Sequence, residues 1–155
     1  MFNRLNFYTS HHQIYICDFG YSQDISDDQF WTEDATHSRL AIGDGILGVG
    51  LESYGDFKGD LTALQTKNAV PDFAIYDHIV EGSLNIRSGI LQVLDCPNMK
   101  EEFRVNIMKG MYRVRVYSIN LSSVMGDSGE DYYKIEMWLE QHKPRTVLKQ
   151  FLHVK

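Results

Sequence analysis

Phe103-Arg104-Val105-Asn106-Ile107, followed by Tyr112-Arg113-Val114-Arg115-Val116-Tyr117, is the stretch on which the reading of the fold turns. In both runs apolar side chains recur at every second position, the period at which a pleated strand sends successive residues to opposite faces. A helix would need them three and four apart. Short runs of this kind, rich in β-branched and aromatic residues, predict half-buried strands. Lys109-Gly110 between them has turn chemistry, so the two runs are expected to form a hairpin.

Working outward, Tyr133, Ile135, Met137 and Leu139 repeat the alternation beyond a loop at Gly126-Asp127-Ser128-Gly129. Less regular strands are read at Gln13 to Asp18, Ile46 to Leu51, Leu61 to Gln65, His78 to Ile86, Ile90 to Leu94 and Thr146 to His153. Eight or nine strands in 155 residues are enough for two packed sheets around one core. The expectation is an all-β, two-sheet β-sandwich of jelly-roll type, a single domain over residues 1–155. One short helix near Trp31 interrupts it: Thr32 can cap the first amides, and Glu33 and Asp34 place negative charge at the positive helix end.

Composition excludes several classes. With 43% hydrophobic and 23% charged residues and 3 prolines, the chain is not a disordered polymer. Its longest apolar run, Leu40 to Leu51, is interrupted by glycines and Asp44 and is too short to span a bilayer. No charged leader precedes an apolar stretch at Met1 to Ser10, so a cytoplasmic location is expected. Cys17 and Cys96 fit no metal-binding or disulfide pattern and are expected as buried thiols. The net charge of −6 is unevenly spread: up to His78 there are 12 acidic against 4 basic residues, and beyond it 9 against 11. An acidic half repels phosphates and favours a basic protein partner over direct binding of nucleic acid.

Chemical motifs are weak. Gly43-Asp44-Gly45-Ile46-Leu47-Gly48 spells a dinucleotide-binding fingerprint, but Val49-Gly50-Leu51 after it is no helix, so a glycine-rich turn into a strand is expected. Gly126-Asp127-Ser128-Gly129 resembles a serine-nucleophile tetrapeptide without its fifth glycine or a recognisable histidine partner. The six histidines, at 11, 12, 37, 78, 142 and 153, lack helical metal-ligand spacing, and His11 and His12 would diverge if they lay in a strand. No cofactor or metal is therefore assigned, and no catalytic residue is named. Arg113, Arg115 and Tyr117 share a strand face that could meet phosphate or bases; the favoured reading is arginines facing solvent beside a cross-strand Glu136.

What remains is a carboxylate cluster around one tryptophan: Asp18, Asp24, Asp27, Asp28, Trp31, Glu33, Asp34 and Asp44. Such a group combines long-range attraction for a basic partner with an aromatic anchor. The competing reading has Trp31 pinning the helix to the core and the acids merely solvated. Asp24, Asp27, Asp28, Trp31, Glu33, Asp34 and Asp44 are the candidate partner-binding residues. A different class of function, a ligand-binding sandwich, would place Tyr112, Tyr117, Tyr132 and Trp138 on a concave sheet that holds a carbohydrate or other small molecule.

The pieces His12-Gln13-Ile14-Tyr15, Trp31-Thr32-Glu33-Asp34-Ala35, Ala41-Ile42-Gly43-Asp44-Gly45, Lys109-Gly110-Met111-Tyr112 and Asp131-Tyr132-Tyr133-Lys134-Ile135, in this order, resemble the competence protein J family, described as inhibitors of a nuclease of DNA uptake. The resemblance implies a cytosolic β protein that binds and blocks a nuclease, with no cofactor or metal of its own. This chain departs from the family in reading Glu33-Asp34 where Asp-Glu is usual, and in additional residues around Ser53 to Phe73 and after Gln141.

Overall fold

In a computed structural model that describes residues 1–26, 28–69 and 72–153, the inward faces of two sheets meet across a shared apolar core. The elements in chain order are β1 (Phe2–Tyr8), β2 (Gln13–Asp18), α1 (Glu33–Ser38), β3 (Leu40–Gly43), β4 (Ile46–Gly50), β5 (Asp56–Ala63), β6 (His78–Ile86), β7 (Ile90–Leu94), β8 (Glu101–Asn106), β9 (Gly110–Ile119), β10 (Tyr132–Leu139) and β11 (Thr146–Lys149). One sheet has the order β1-β5-β10-β9-β6-β11 and the other β3-β4-β2-β7-β8. Neighbours run antiparallel except β5 and β10, which are parallel. The expected two-sheet β-sandwich is what the chain forms.

Alternation decides which side chains face inward. Tyr112, Val114 and Val116 of β9 and Tyr133, Ile135 and Met137 of β10 enter the core from one sheet; Ile14, Ile16, Leu47, Val49, Leu91 and Val93 enter it from the other. Leu139, the last member of the β10 series, is exposed. The expected hairpin between the runs at 103–107 and 112–117 does not form. β8 pairs with β7 in the five-stranded sheet, whereas β9 pairs with β6 and β10 in the six-stranded one. Phe103, Val105 and Ile107 still pack on the same core as Val114, so an alternating pattern identifies a strand without identifying its partner.

The outward face of β9 requires the largest correction. Arg113 and Arg115 are each 1% exposed, not solvent-facing. Register places Arg115 opposite Glu136 on β10, as expected, and opposite Glu81 on β6. Glu81 takes both cations, from Arg113 Nε at 3.1 Å and from Arg115 Nε at 2.6 Å. The other Arg113 donors reach Ser83 Oγ, Thr146 Oγ1 and the carbonyls of Lys143 and Pro144. Arg115 Nη1 donates to the Asn68 carbonyl and to Tyr117 Oη, which donates to Glu136 at 2.7 Å. The Arg115 guanidinium also lies 5.0 Å from the Trp138 ring. These donors are committed inside the protein rather than offered to solvent.

Local signals account for the remaining elements. Thr32 Oγ1 accepts from Ala35 N at 3.1 Å, Glu33 and Asp34 occupy the first helical turn, and Arg39 ends α1 in the left-handed region at φ 62°. Asp44-Gly45 is a two-residue turn joining β3 to β4, with Gly45 at φ +73°; no helix follows the fingerprint letters. Gly126-Asp127 is a tight turn closed by Met125 and Ser128, with Gly129 just beyond it. His11 and His12 lie not in a strand but in the turn between β1 and β2, at φ 60° and 58°. β1 and β3 escape the sequence reading because β1 is a polar-rich edge strand and β3 is four residues long. β5 starts at Asp56, earlier than expected, and Gly59 lets it approach Tyr133, whose carbonyl oxygen would lie 2.3 Å from an added Cβ. Both cysteines are buried free thiols, and burial pushes Cys17 up to about 12. No helix among the described residues is long and apolar enough to cross a membrane.

A buried charge without its partner costs about 3–5 kcal/mol. Glu81→Ala, which strands two buried guanidinium groups, is expected to lower urea-unfolding stability by about that amount. Glu81→Leu combined with Arg113→Met and Arg115→Met is expected to recover most of the loss.

Candidate functional site

Residues between β2 and β3 form a cover over the outward face of the five-stranded sheet. Tyr15, Cys17, Ala41, Ile46 and Leu94 of that face pack with Phe30 and Ala35 of the cover, and Tyr21, Ile25 and Trp31 lie half-buried around them. Trp31 sits directly on Gly48 of β4, where an added Cβ would lie 2.7 Å from the indole. Its ring meets Phe30 edge-on at 5.9 Å, and Phe30 stacks on Tyr15 at 6.2 Å. Burial pushes the Tyr15 hydroxyl up to about 12, an effect partly offset by the neighbouring Trp31. The indole Nε1 is enclosed without a well-aligned hydrogen-bond partner. Trp31 thus packs on the sheet, as the reading of it as a pin for the helix expects, and also borders open space.

The candidate carboxylates divide into groups. Glu33 and Asp34 are exposed in the first turn of α1 and border, with Trp31, Thr36 and His37, an open hollow of about 740 Å³. Asp24 is exposed and accepts from Ser26 N and Oγ at 2.9 and 2.6 Å, bonds that hold its carboxyl below the ordinary value. Gln23, beside it, accepts from Asp44 N at 3.3 Å and so ties this loop to the β3–β4 turn. Asp44 is exposed and pairs with Arg87 at 2.8 Å. Asp28 is exposed; Asp27 lies outside the described residues. Asp18 does not join them: it is buried, and its Oδ1 accepts from Ser88 N and Oγ, anchoring the β6–β7 turn.

Sequence reasoning missed a cleft of about 510 Å³ on the other side of Trp31, bordered by His11, His12, His37, Arg39, Leu51 and Phe151. Glu52 lies at its edge and accepts from Arg39 Nη2 at 2.8 Å and from His153 Nε2 at 2.8 Å. Burial opposes ionisation of Glu52, but these two bonds outweigh it and hold the carboxyl below its ordinary value. His78, fully buried behind the cleft, donates from Nε2 to the Ser38 carbonyl at 2.7 Å and accepts the Phe151 amide on Nδ1 at 3.0 Å. That pairing defines the neutral tautomer. Burial pushes His78 down to about 4, against the opposing bond to Ser38. These histidines come from four separated parts of the chain, so no local spacing could have announced them. Among the described residues no cluster of histidine, cysteine and carboxylate has the arrangement of a metal site. Of the aromatics proposed for a ligand-binding sheet, Tyr112, Tyr117 and Trp138 are buried, and Tyr117 reaches a small hollow of about 250 Å³ that it shares with Asn68, Lys134 and Glu136.

No family model matches the chain, and no curated protein sequence does. Solved structures do. ComJ from Bacillus subtilis, the inhibitor of the DNA-degrading activity of NucA, superposes with a TM-score of 0.68 over 89% of this chain and 96% of ComJ. The chain shares the ComJ fold. Sequence identity is only 16%, so the same architecture is built from a largely different set of side chains. The crocagin biosynthetic gene J protein matches with a TM-score of 0.57 at 16% identity, over 91% of this chain and 98% of that one.

The folded state keeps His78 neutral down to about 4, whereas an unperturbed imidazole protonates near 6.5. Its contribution to stability is therefore complete above pH 6.5 and drains away as pH falls towards 4, by roughly 3 kcal/mol in all. Denaturant titrations across that interval are expected to show the slope in the native protein and to lose most of it in His78→Gln.

Proposed function

We propose that this chain is a non-catalytic, cytoplasmic protein-binding module of the nuclease-inhibitor type that blocks a basic nuclease with the carboxylates around Trp31. The observation that carries the reading is the ComJ fold, matched over nearly the full length of both chains. The cover between β2 and β3 supports it: Asp24, Asp28, Glu33 and Asp34 are exposed there, beside an indole seated on the sheet. A nuclease must hold polyanionic DNA in a basic groove, and carboxylates offered to that groove compete with phosphates. Opposite charge accelerates encounter, and a flat aromatic that excludes water at the centre slows release. Asp27 belongs to this proposal by sequence position, and Asp44 contributes less because Arg87 already neutralises it. No cofactor, metal or direct contact with nucleic acid enters the mechanism.

A ligand-binding sandwich is the second reading, favoured by the cleft of about 510 Å³ beside Trp31. Its site would be this cleft rather than the sheet aromatics.

Titration of the basic DNA-degrading nucleases of the source organism with the native protein is expected to give stoichiometric inhibition that weakens with salt. Reversing Asp27, Asp28, Glu33 and Asp34 to lysine is expected to weaken it by two orders of magnitude or more, from lost long-range attraction and close charge pairs. Unchanged inhibition by the reversed variant would remove the acidic surface from the mechanism.

A further inference from the structure

After β11 the chain leaves the sheet and lies across the cleft, held through side chains. Gln150 Nε2 donates to the His37 carbonyl at 3.0 Å. The Phe151 amide donates to His78 Nδ1, and the Phe151 ring lies 5.3 Å from the Arg39 guanidinium. Leu152 borders the cleft and is 70% exposed. His153 comes back to the protein, meeting the Phe151 ring edge-on at 4.8 Å and bonding Glu52 Oε1 at 2.8 Å. Phe151 is the half-buried residue of this segment, whereas His153, with 67% of its side chain exposed, is held at the rim by Glu52. Phe151 and His153 also separate two spaces: the cleft of about 510 Å³ beside Trp31 and another of about 480 Å³ reaching Leu121 and Val124. Both spaces are bordered by His12, Phe151 and His153, so lifting this segment would join them into one groove.

We propose that this groove is a recognition site for an extended segment of a partner protein, with an aromatic residue two places before a basic one, and that Phe151-Leu152-His153 fills it as an internal stand-in. Each part of the stand-in names the chemistry its replacement must have. Arg39 offers a cation to the face of an aromatic ring. His78 Nδ1 accepts a backbone amide, and Glu52 accepts a cationic side chain. A lysine or arginine in the last position carries its charge at all working pH values, so it makes a stronger partner for Glu52 than the His153 imidazole does. That stronger pairing favours the partner segment over the stand-in, and the groove adjoins the carboxylate cover, sharing Trp31, Thr36 and His37 with the hollow that Glu33 and Asp34 border. The inference does not depend on the partner being a nuclease.

The test uses the full chain and the synthetic peptide acetyl-Gln-Phe-Leu-Lys-amide, followed by calorimetry and by the fluorescence of Trp31, which borders the cleft. Phe151→Ala with His153→Ala is expected to bind the peptide at least tenfold more tightly than the native chain, because the internal competitor is weakened. Adding Glu52→Gln is expected to remove at least tenfold of that affinity while leaving binding of a norleucine version of the peptide unchanged. If the double variant does not melt cooperatively, His153→Ala alone removes only an exposed ring and is expected to give a severalfold gain. A folded variant that binds no more tightly than the native chain, or that binds a peptide with alanine in place of phenylalanine equally well, overturns the proposal. Neither outcome bears on nuclease inhibition, which is measured separately.

Discussion

Two guanidinium groups cannot be enclosed in a protein interior unless a carboxylate and several carbonyls are brought to them, and this requirement organises the six-stranded sheet. Glu81 on β6 stands between Arg113 and Arg115 on β9, and Glu136 on β10 closes the other side through Tyr117. Sliding β6 or β10 by one residue against β9 would turn these side chains to the opposite face and leave buried charges unpaired, a cost of several kcal/mol each. The pairing therefore holds three central strands in register. It also needs a lid: Arg113 is satisfied by the turn from Lys143 to Thr146, and Arg115 by Asn68. The turn over Arg113 leads into β11 and on to the segment that crosses the cleft. An ion cluster on one face thus fixes where the chain approaches the candidate groove on another.

The five-stranded sheet handles its outward face differently. Its outer residues on β3, β4 and the middle of β2 are apolar, aromatic or small, and the chain between β2 and β3 folds back over them with Phe30, Trp31 and Ala35. Gly48 matters here for its missing side chain, since only a bare Cα lets the indole approach the strand so closely. With apolar residues committed beneath, the polar residues of the cover are left outside, which is why Asp24, Asp28, Glu33 and Asp34 are exposed together. Burial of the cover and presentation of charge follow from one amphipathic segment. The ComJ architecture recurs here at 16% identity, so the same platform carries a largely different set of side chains on its outer faces.

The alternation at 112–117 and 133–137 reports a strand and its inward face, and both readings hold because core burial is enforced residue by residue. Thr32 as a cap, the short helix behind it and the Asp44-Gly45 turn were equally legible, since each depends on neighbours within a few positions. The supposed hairpin from β8 to β9 failed for a related reason: both sheets feed the same core, so the pattern is identical whichever sheet a strand joins. The outward arginines were misread because sequence gives the spacing of a face but not what covers it.

The amino-acid sequence by itself determined the all-β class, the positions of most strands, the capped helix at Trp31 and the acidity of the first half, all properties written in local periodicity and composition. Tertiary structure alone decided the partners of each strand, the burial of Arg113 and Arg115 around Glu81, the separation of Asp18 from the exposed carboxylates, and the cleft where His12, His37, Arg39 and Phe151 meet, with His78 behind it. Those residues lie far apart along the chain, and their contacts arise from which sheet each strand joins and which segment covers it. Packing sets that choice over the whole molecule, so no window of sequence contains it.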